Sequence, residues 1–135
     1  MQAVLNVTRR DMKHILIADN DLGFTFWLGE VLAGAGYQPW PACSVSDAIE
    51  LARRKCISPV ELLVLNPSLR DASNLISHFR RRRPYLGVIA LGSRHEMALP
   101  GVDAWRERPA PEDLLARPKW VRLIDRIACL HRRAA

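Results

Sequence analysis

Short apolar runs alternate along this chain with longer stretches in which apolar residues recur at three- and four-residue spacing. The nearly continuous apolar runs at 15–18, 60–65 and 86–91 are typical of parallel strands buried on both faces. A shorter run at 102–105 predicts one more strand. Residues 37–42 include Pro39 and Pro41, which suit an edge strand, because a proline has no N–H to donate to a neighbouring strand.

The helical spacing predicts four helices between and after these strands. Asp21 is the expected N-cap of the first helix, and Gly34 and Gly36 end it. Ser46 is the expected cap of the second, and the last begins near Pro118, since proline suits a first helical turn. The apolar positions of the four helices are Phe24, Trp27, Leu28, Val31, Leu32 and Ala35; Ala48, Ile49, Ala52 and Cys56; Ala72, Leu75, Ile76 and Phe79; and Trp120, Val121, Ile124, Ile127 and Ala128.

This order of elements predicts an α/β fold, a doubly wound sheet of five parallel strands covered by helices on both sides. We assign residues 13–135 to one domain and residues 1–12 to an N-terminal leader that could be disordered. In such sheets the functional crevice lies at the carboxyl ends of the strands. The polar or turn-forming residues expected there are Asp19, Asn20, Asp21, Asn66, Gly92, Ser93, Arg108 and Pro109.

Composition narrows the classes of protein to consider. The 135 residues are 49% hydrophobic and 25% charged, which excludes a disordered chain. No apolar run approaches the roughly 20 residues that span a bilayer, and the charged N-terminus does not fit a secretory signal, so we expect a cytoplasmic protein. Cys43, Cys56 and Cys129 fit neither a disulfide framework nor a zinc site and are expected to be buried thiols.

The net charge of +6 raises the hypothesis of a nucleotide, second-messenger or nucleic-acid ligand. Its basic patch would be Arg80, Arg81, Arg82 and Arg83, supported by Arg53, Arg54 and Lys55 or by Arg132 and Arg133. The alternative is a solvated helix end, where cations complement the helix dipole. We expect no specific binding of nucleic acid or of a cyclic dinucleotide. The four histidines show no metal-ligand spacing.

Four segments together resemble the receiver domain of response regulators. They are "HILIADND", "ELLVLNPSL", "VIALGS" and "DAWRERPAPEDLL". Their order and spacing match the CheY-like family over about residues 13–133. The resemblance implies the flavodoxin-like receiver fold and a place in two-component or phosphorelay signal transduction.

The resemblance also implies a phosphorylation pocket, and this chain departs from it. In the family an aspartate accepts a phosphoryl group, two acids hold Mg²⁺, and a hydroxyl and a lysine bind the phosphoryl oxygens. Asp19 and Asn20 match the acid pair, and Asn66 matches the phosphoacceptor. Gly92 takes the place of the hydroxyl, with Ser93 one position out of register. Arg108 takes the place of the lysine and Pro109 matches the family's proline.

The departures predict a degenerate pocket. An amide at Asn66 is too poor a nucleophile to accept phosphate, and the amide at Asn20 removes a magnesium ligand, so we expect Mg²⁺ binding to be weak or absent. Asn66 is expected to form a neutral-to-basic network with Asn20 and Arg108. We interpret the chain as a pseudo-receiver, a phosphorylation-independent protein-interaction module, and not an enzyme.

The link between strands four and five is too short for the family's helix. Only eight residues separate Gly92 from Gly101, so at most about one helical turn fits. The remodelled face formed by strand five and the last helix is the predicted binding surface for another signalling protein or for a second copy of the chain. Trp105 is the main candidate for this contact, expected half-exposed beside Trp120 or the last helix.

Overall fold

The structure, a computed structural model, describes residues 13–55, 60–93 and 99–134, with side chains except for Lys55 and residues 130–134. The predicted leader at 1–12 and Cys56 therefore lie outside the described residues. The side chains of Arg132 and Arg133 also lie outside them.

The described residues form five strands and four helices in the predicted order, with a helix after each of the first three strands and after the fifth. The strands are β1 (His14–Ala18), β2 (Gln38–Ala42), β3 (Val60–Leu65), β4 (Gly87–Leu91) and β5 (Ala104–Arg106). The helices are α1 (Leu22–Gly34), α2 (Val45–Lys55), α3 (Ala72–Arg80) and α4 (Ala116–Ala134). All neighbouring strands are parallel in the order β2-β1-β3-β4-β5. The doubly wound α/β fold is confirmed.

The two faces of the sheet bury separate apolar clusters. On one face, Ile15 and Ile17 of β1 pack with residues of α1 and α4. On the other, Leu16 and Ala18 pack with residues of α2 and α3. Successive β1 side chains thus enter opposite layers, which explains why residues 15–18 are all apolar.

Strand β2 lies at the edge of the sheet, as its two prolines predict. The backbone N–H of Gln38 donates to Lys13, and the carbonyl of Ala42 accepts from Asp19, so both residues face β1. Because backbone direction alternates along a strand, the nitrogens of Pro39 and Pro41 face the free edge. Neither can donate a hydrogen bond, so this edge resists pairing with a further strand.

Several local predictions need correction. Ser44, rather than Ser46, caps α2, since its Oγ accepts from the backbone N–H of Asp47 at 3.0 Å. Strand β5 begins at Ala104 rather than at 102, because Asp103 turns its side chain back to the N–H of Val88. Cys43 and Cys129 are exposed rather than buried.

The link between β4 and β5 contains no helix in its described residues, 92–93 and 99–103; residues 94–98 lie outside them. Arg80 holds this link against the end of α3, donating to the carbonyl of Leu86 at 2.9 Å and pairing with Asp103 at 3.5 Å. Gly101 has a φ of 86°, a left-handed conformation that glycine adopts without strain, and a Cβ there would crowd the guanidinium of Arg80.

None of the helices in the described part of the chain combines the length and the apolar character needed to cross a membrane.

Candidate functional site

The carboxyl ends of β1, β3 and β5 bring a buried carboxylate and an arginine together. Asp19 directly follows β1 and is fully buried. Arg108 follows β5, donating from Nε to Oδ2 of Asp19 at 2.9 Å and from Nη2 to Oδ1 at 2.7 Å. Both carboxylate oxygens are thus bound by one guanidinium, the two-point geometry that makes such pairs strong.

Further contacts hold the guanidinium of Arg108. Its Nε lies 3.6 Å from Oδ2 of Asp21, and its central carbon lies 5.9 Å from the ring centre of Phe24. Phe24 in turn packs against Trp120 at 5.6 Å between ring centres, so the pair rests on the core. The hydrogen bond to Asp19, reinforced by charge, raises the pKa of Arg108 above its usual value. Arg108 is therefore a permanent cation.

Asn66 completes the network from the end of β3. Its Nδ2 donates to Oδ1 of Asp19 at 3.0 Å and, over a longer 3.4 Å, to Oδ1 of Asn20. Its Oδ1 accepts the backbone N–H of Ser68 at 2.9 Å, which fixes the orientation of the amide. The amide nitrogen consequently faces the position where the family has a reactive carboxylate oxygen.

The predicted network of Asn66, Asn20 and Arg108 omits Asp19, the residue that joins Asn66 to Arg108. Arg108 bonds to Asp19 rather than to Asn66, so the described centre is a balanced ion pair with two amides beside it. The sequence suggested only that Asp19 is the remaining acid of the family's metal-binding pair. An ion pair could have been predicted from the presence of one acid and one arginine among the residues expected at the same edge of the sheet.

Gly92 removes the hydroxyl of the family pattern and also changes the backbone. Its φ is 118°, a conformation that β-branched side chains avoid, and its N–H donates to the carbonyl of Arg106 at 3.0 Å. A threonine at this position would be strained. Ser93 is half-buried one residue further on, and Pro109 lies beside Arg108 in a cleft of about 310 Å³ under the start of α1.

A magnesium ion does not fit these side chains. Mg²⁺ requires oxygen ligands in a near-octahedral arrangement. Here both oxygens of Asp19 accept from Arg108, one of them also accepts from Asn66, and the oxygen of Asn66 is used by Ser68. No group of three or more histidine, cysteine or acidic residues that could hold a metal occurs among the described residues.

The two tryptophans of the predicted binding surface lie on opposite faces of the sheet. Trp120 is only 2% exposed and belongs to the core between the sheet, α1 and α4, so its assignment to a binding surface is wrong. Ala104 packs on that same core, and Trp105, the next residue of β5, therefore faces the α2 and α3 side. Trp105 is half-buried as predicted, but it does not lie beside Trp120.

The basic patch divides into two pairs of arginines. Arg80 holds the β4–β5 link, and Arg83 forms an ion pair with Glu61 at 2.6 Å. Arg81 and Arg82 are exposed at the end of α3. Of the supporting residues, Arg53 and Arg54 approach Glu50 on the same helix. The structure therefore contradicts a continuous patch of four arginines available to a ligand.

Comparison with solved structures identifies the fold. A CheY-like receiver domain from Methanospirillum hungatei JF-1 superposes with a TM-score of 0.74 at 17% identity, covering 92% of this chain and 99% of that one. A receiver domain from Clostridium thermocellum gives a TM-score of 0.73 at 12% identity, covering 92% of this chain and all of the other. The fold is that of a response-regulator receiver domain.

One structural neighbour among the receiver domains was solved with a bound ligand. The response regulator TrrA from Thermotoga maritima, in complex with Mg²⁺-BeF, gives a TM-score of 0.66 at 17% identity, covering 86% of this chain and 99% of that one. No protein-family model matches the sequence, and no curated protein matches it significantly. The receiver likeness is therefore one of fold.

Proposed function

We propose that this protein is a phosphorylation-independent receiver domain that acts as a protein-interaction module in two-component-type signal transduction. The observation that carries the proposal is the position of Asn66, whose amide nitrogen donates to Asp19 while its oxygen accepts from Ser68. An amide in this arrangement presents no nucleophile to a phosphoryl donor. On this proposal the domain is not an enzyme.

The ion pair between Arg108 and Asp19 gives a second argument for the same proposal, and this argument concerns the metal ion. In receiver chemistry a divalent ion neutralises the charge that develops on the phosphoryl oxygens. Here Arg108 already neutralises Asp19, and both oxygens of that carboxylate accept hydrogen bonds from it. On this proposal the arginine takes the place of the metal ion, and signalling would depend on what the surface of the domain binds.

The binding surface that we propose lies around Trp105 on the edge strand β5. Trp105 pairs with Ala90 in the sheet and is half-buried on the α2 and α3 side. The neighbouring residues Leu99 and Val102 are also only partly buried against the core of that face. A partly exposed tryptophan is the residue type most enriched at the centre of protein interfaces. Its partner would be another signalling protein or a second copy.

Intact-mass spectrometry after incubation with acetyl phosphate and Mg²⁺ tests the phosphorylation half of the proposal. TrrA from Thermotoga maritima is a suitable comparison, since it has been solved with Mg²⁺-BeF. We expect no added phosphoryl group on this chain under conditions that modify an active receiver. Stoichiometric incorporation would overturn the proposal, and the Asp19→Asn variant would then show whether Asp19 or another residue is the phosphoacceptor.

A further inference from the structure

Helix α1 is apolar on the side that faces away from the core. Its sequence, LGFTFWLGEVLAG, carries Glu30 as its only charged residue. Phe24, Leu28, Val31 and Leu32 are buried, yet Leu22 and Phe26 are 62% and 73% exposed. A helix that is apolar on all sides is normally covered on all sides. The outer face of α1 therefore lacks a covering element among the described residues.

A groove of about 450 Å³ runs between this outer face and the edge strand β2. Phe26 and Leu22 form one wall, and Pro39 and Pro41 form the other. Gly29 and Ala33 lie one helical turn apart along the first wall and leave a shallow notch, with no atom within 4 Å of where a Cβ on Gly29 would lie. The groove is separate from Trp105, because β2 and β5 are opposite edges of the sheet.

The charge of the groove is opposite to that of the chain. The protein has 20 lysines and arginines against 14 acidic residues. Asp19 lines the groove but is buried and paired with Arg108, and the other charged residues of the lining, Glu30 and Asp47, are both acidic. Glu30 and Asp47 are exposed on opposite sides of the groove. A partner that carries positive charge on both sides of an apolar ridge would match this pattern.

The backbone of β2 excludes one kind of partner. A strand added to this edge would need donors from the outward-facing backbone nitrogens, and those belong to Pro39 and Pro41. A helix makes no such demand, because its backbone hydrogen bonds are internal. The notch at Gly29 and Ala33 also suits a helix, whose side-chain ridge could enter it.

We infer that the groove between α1 and β2 binds an amphipathic helix of a partner protein, with an apolar ridge flanked by lysines or arginines. This inference rests on the proposed function, since it names the class of partner for a module that acts by binding. Phe26 would be the anchor, and Glu30 and Asp47 would select the flanking charges.

The probe for this inference is a synthetic helical peptide of about 20 residues, long enough to hold some helix in water, with leucines along one face and lysines beside them. Its matched control has glutamates in place of the lysines. Binding of each to the whole protein is followed by fluorescence anisotropy at low and high salt. We expect saturable binding of the lysine peptide only, weakening as salt rises.

Three variants locate the binding site. Phe26→Ser removes the anchor, and Gly29→Leu fills the notch where there is open space and glycine is a poor helix former, so the domain stays folded. We expect each to weaken binding by at least about tenfold. Leu114→Ser is the matched control, because Leu114 is 91% exposed and does not line the groove. It should bind like the unmodified protein.

Several results would overturn the inference. They are an absence of binding, equal binding of the glutamate peptide, or binding unaffected by Phe26→Ser and Gly29→Leu. A dimer in sedimentation that Gly29→Leu dissociates would assign the groove to a second copy. Binding of an apolar dye without the peptide, lost in Gly29→Leu, would assign it to a small ligand. Since the assay contains no Mg²⁺ or phosphoryl donor, its failure is distinguishable from phosphorylation of the pocket.

Discussion

Arg108 binds both carboxylate oxygens of Asp19, at 2.7 and 2.9 Å, and Asp19 is fully buried while the Arg108 side chain is about one-third exposed. Burying a carboxylate without a partner costs free energy, so Asp19 can be buried at the end of β1 because Arg108 pairs with it. The same contact uses both oxygens of the residue that matches the first acid of the family's metal-binding pair.

Replacing Arg108 with methionine should therefore destabilise the domain. We expect the free energy of unfolding to fall by about 2 to 3 kcal/mol, somewhat less than for a fully buried pair because Arg108 is partly exposed. Adding Asp19→Asn to that variant should restore part of the loss, since no buried charge then remains. Urea denaturation of the single and double variants measures the coupling.

Arg117→Met is the control for this cycle. Arg117 is exposed at the start of α4, and its replacement should change the free energy of unfolding by no more than about 0.5 kcal/mol. Equal effects of Arg108→Met and Arg117→Met would show that the ion pair contributes nothing to stability.

Restoring the two missing acids should not be enough to rebuild a strong metal site. Asn20→Asp with Asn66→Asp supplies two carboxylates, which from sequence alone are expected to restore measurable Mg²⁺ binding. In the structure Arg108 still occupies Asp19. Adding Arg108→Lys, which cannot bind both oxygens in the same way, should tighten Mg²⁺ binding on the order of tenfold by calorimetry.

The Arg108→Lys single variant serves as the control and should not bind Mg²⁺. If the double variant binds the metal as tightly as the triple variant, the guanidinium does not exclude the ion.

The arginines at the end of α3 should separate into structural and solvated residues. Arg80→Gln loses the hydrogen bond to Leu86 and the ion pair with Asp103, so we expect a loss of about 1 to 2 kcal/mol in the free energy of unfolding. Arg81→Gln, on an exposed neighbour, should change it by less than about 0.5 kcal/mol. Thermal denaturation of both variants checks this; similar stabilities would mean that Arg80 is also a solvated cation.

Trp105→Ala should weaken association without unfolding the domain. We expect a loss of about 2 kcal/mol or more in self-association or in binding to a co-purified partner, as for other aromatic anchors. Sedimentation measures the association, circular dichroism checks the fold, and Tyr85→Ala, at another half-exposed aromatic residue, is the control. An unchanged association constant in the Trp105 variant would show that the surface around β5 does not bind a partner.

Most of the sheet could be predicted from the sequence because β1, β3 and β4 are largely apolar on both faces. The helices between them could be predicted because their apolar residues recur at helical spacing. The run 60–65 coincides with β3, and the prolines at 39 and 41 correctly indicate an edge strand. The prediction of where β5 begins failed because Val102 is apolar and packs on the core of one face, yet it lies between the turn at 100–101 and the strand. Apolar character indicates that a residue can pack on a core, not that it belongs to a strand.

The sequence predicts which residues lie at the site, but it does not predict which of them bind each other. Asp19, Asn66 and Arg108 follow from the rule that strand ends converge at one edge. Which of them pair depends on distances of a few tenths of an ångström and on the orientation of the Asn66 amide, set by Ser68. Trp120 was misplaced because a tryptophan at the start of an amphipathic helix has the same sequence pattern whether it faces the core or a partner.

Independence from phosphorylation is tested most directly by NMR titration of the ¹⁵N-labelled protein with beryllofluoride and Mg²⁺. Beryllofluoride mimics a phosphoryl group on an aspartate, and the backbone signals of Asp19, Asn66 and Gly92 report on the pocket. We predict that these signals stay in place at concentrations that saturate an active receiver such as TrrA. Saturable shifts at these three residues would contradict the assignment of the pocket as a closed ion pair.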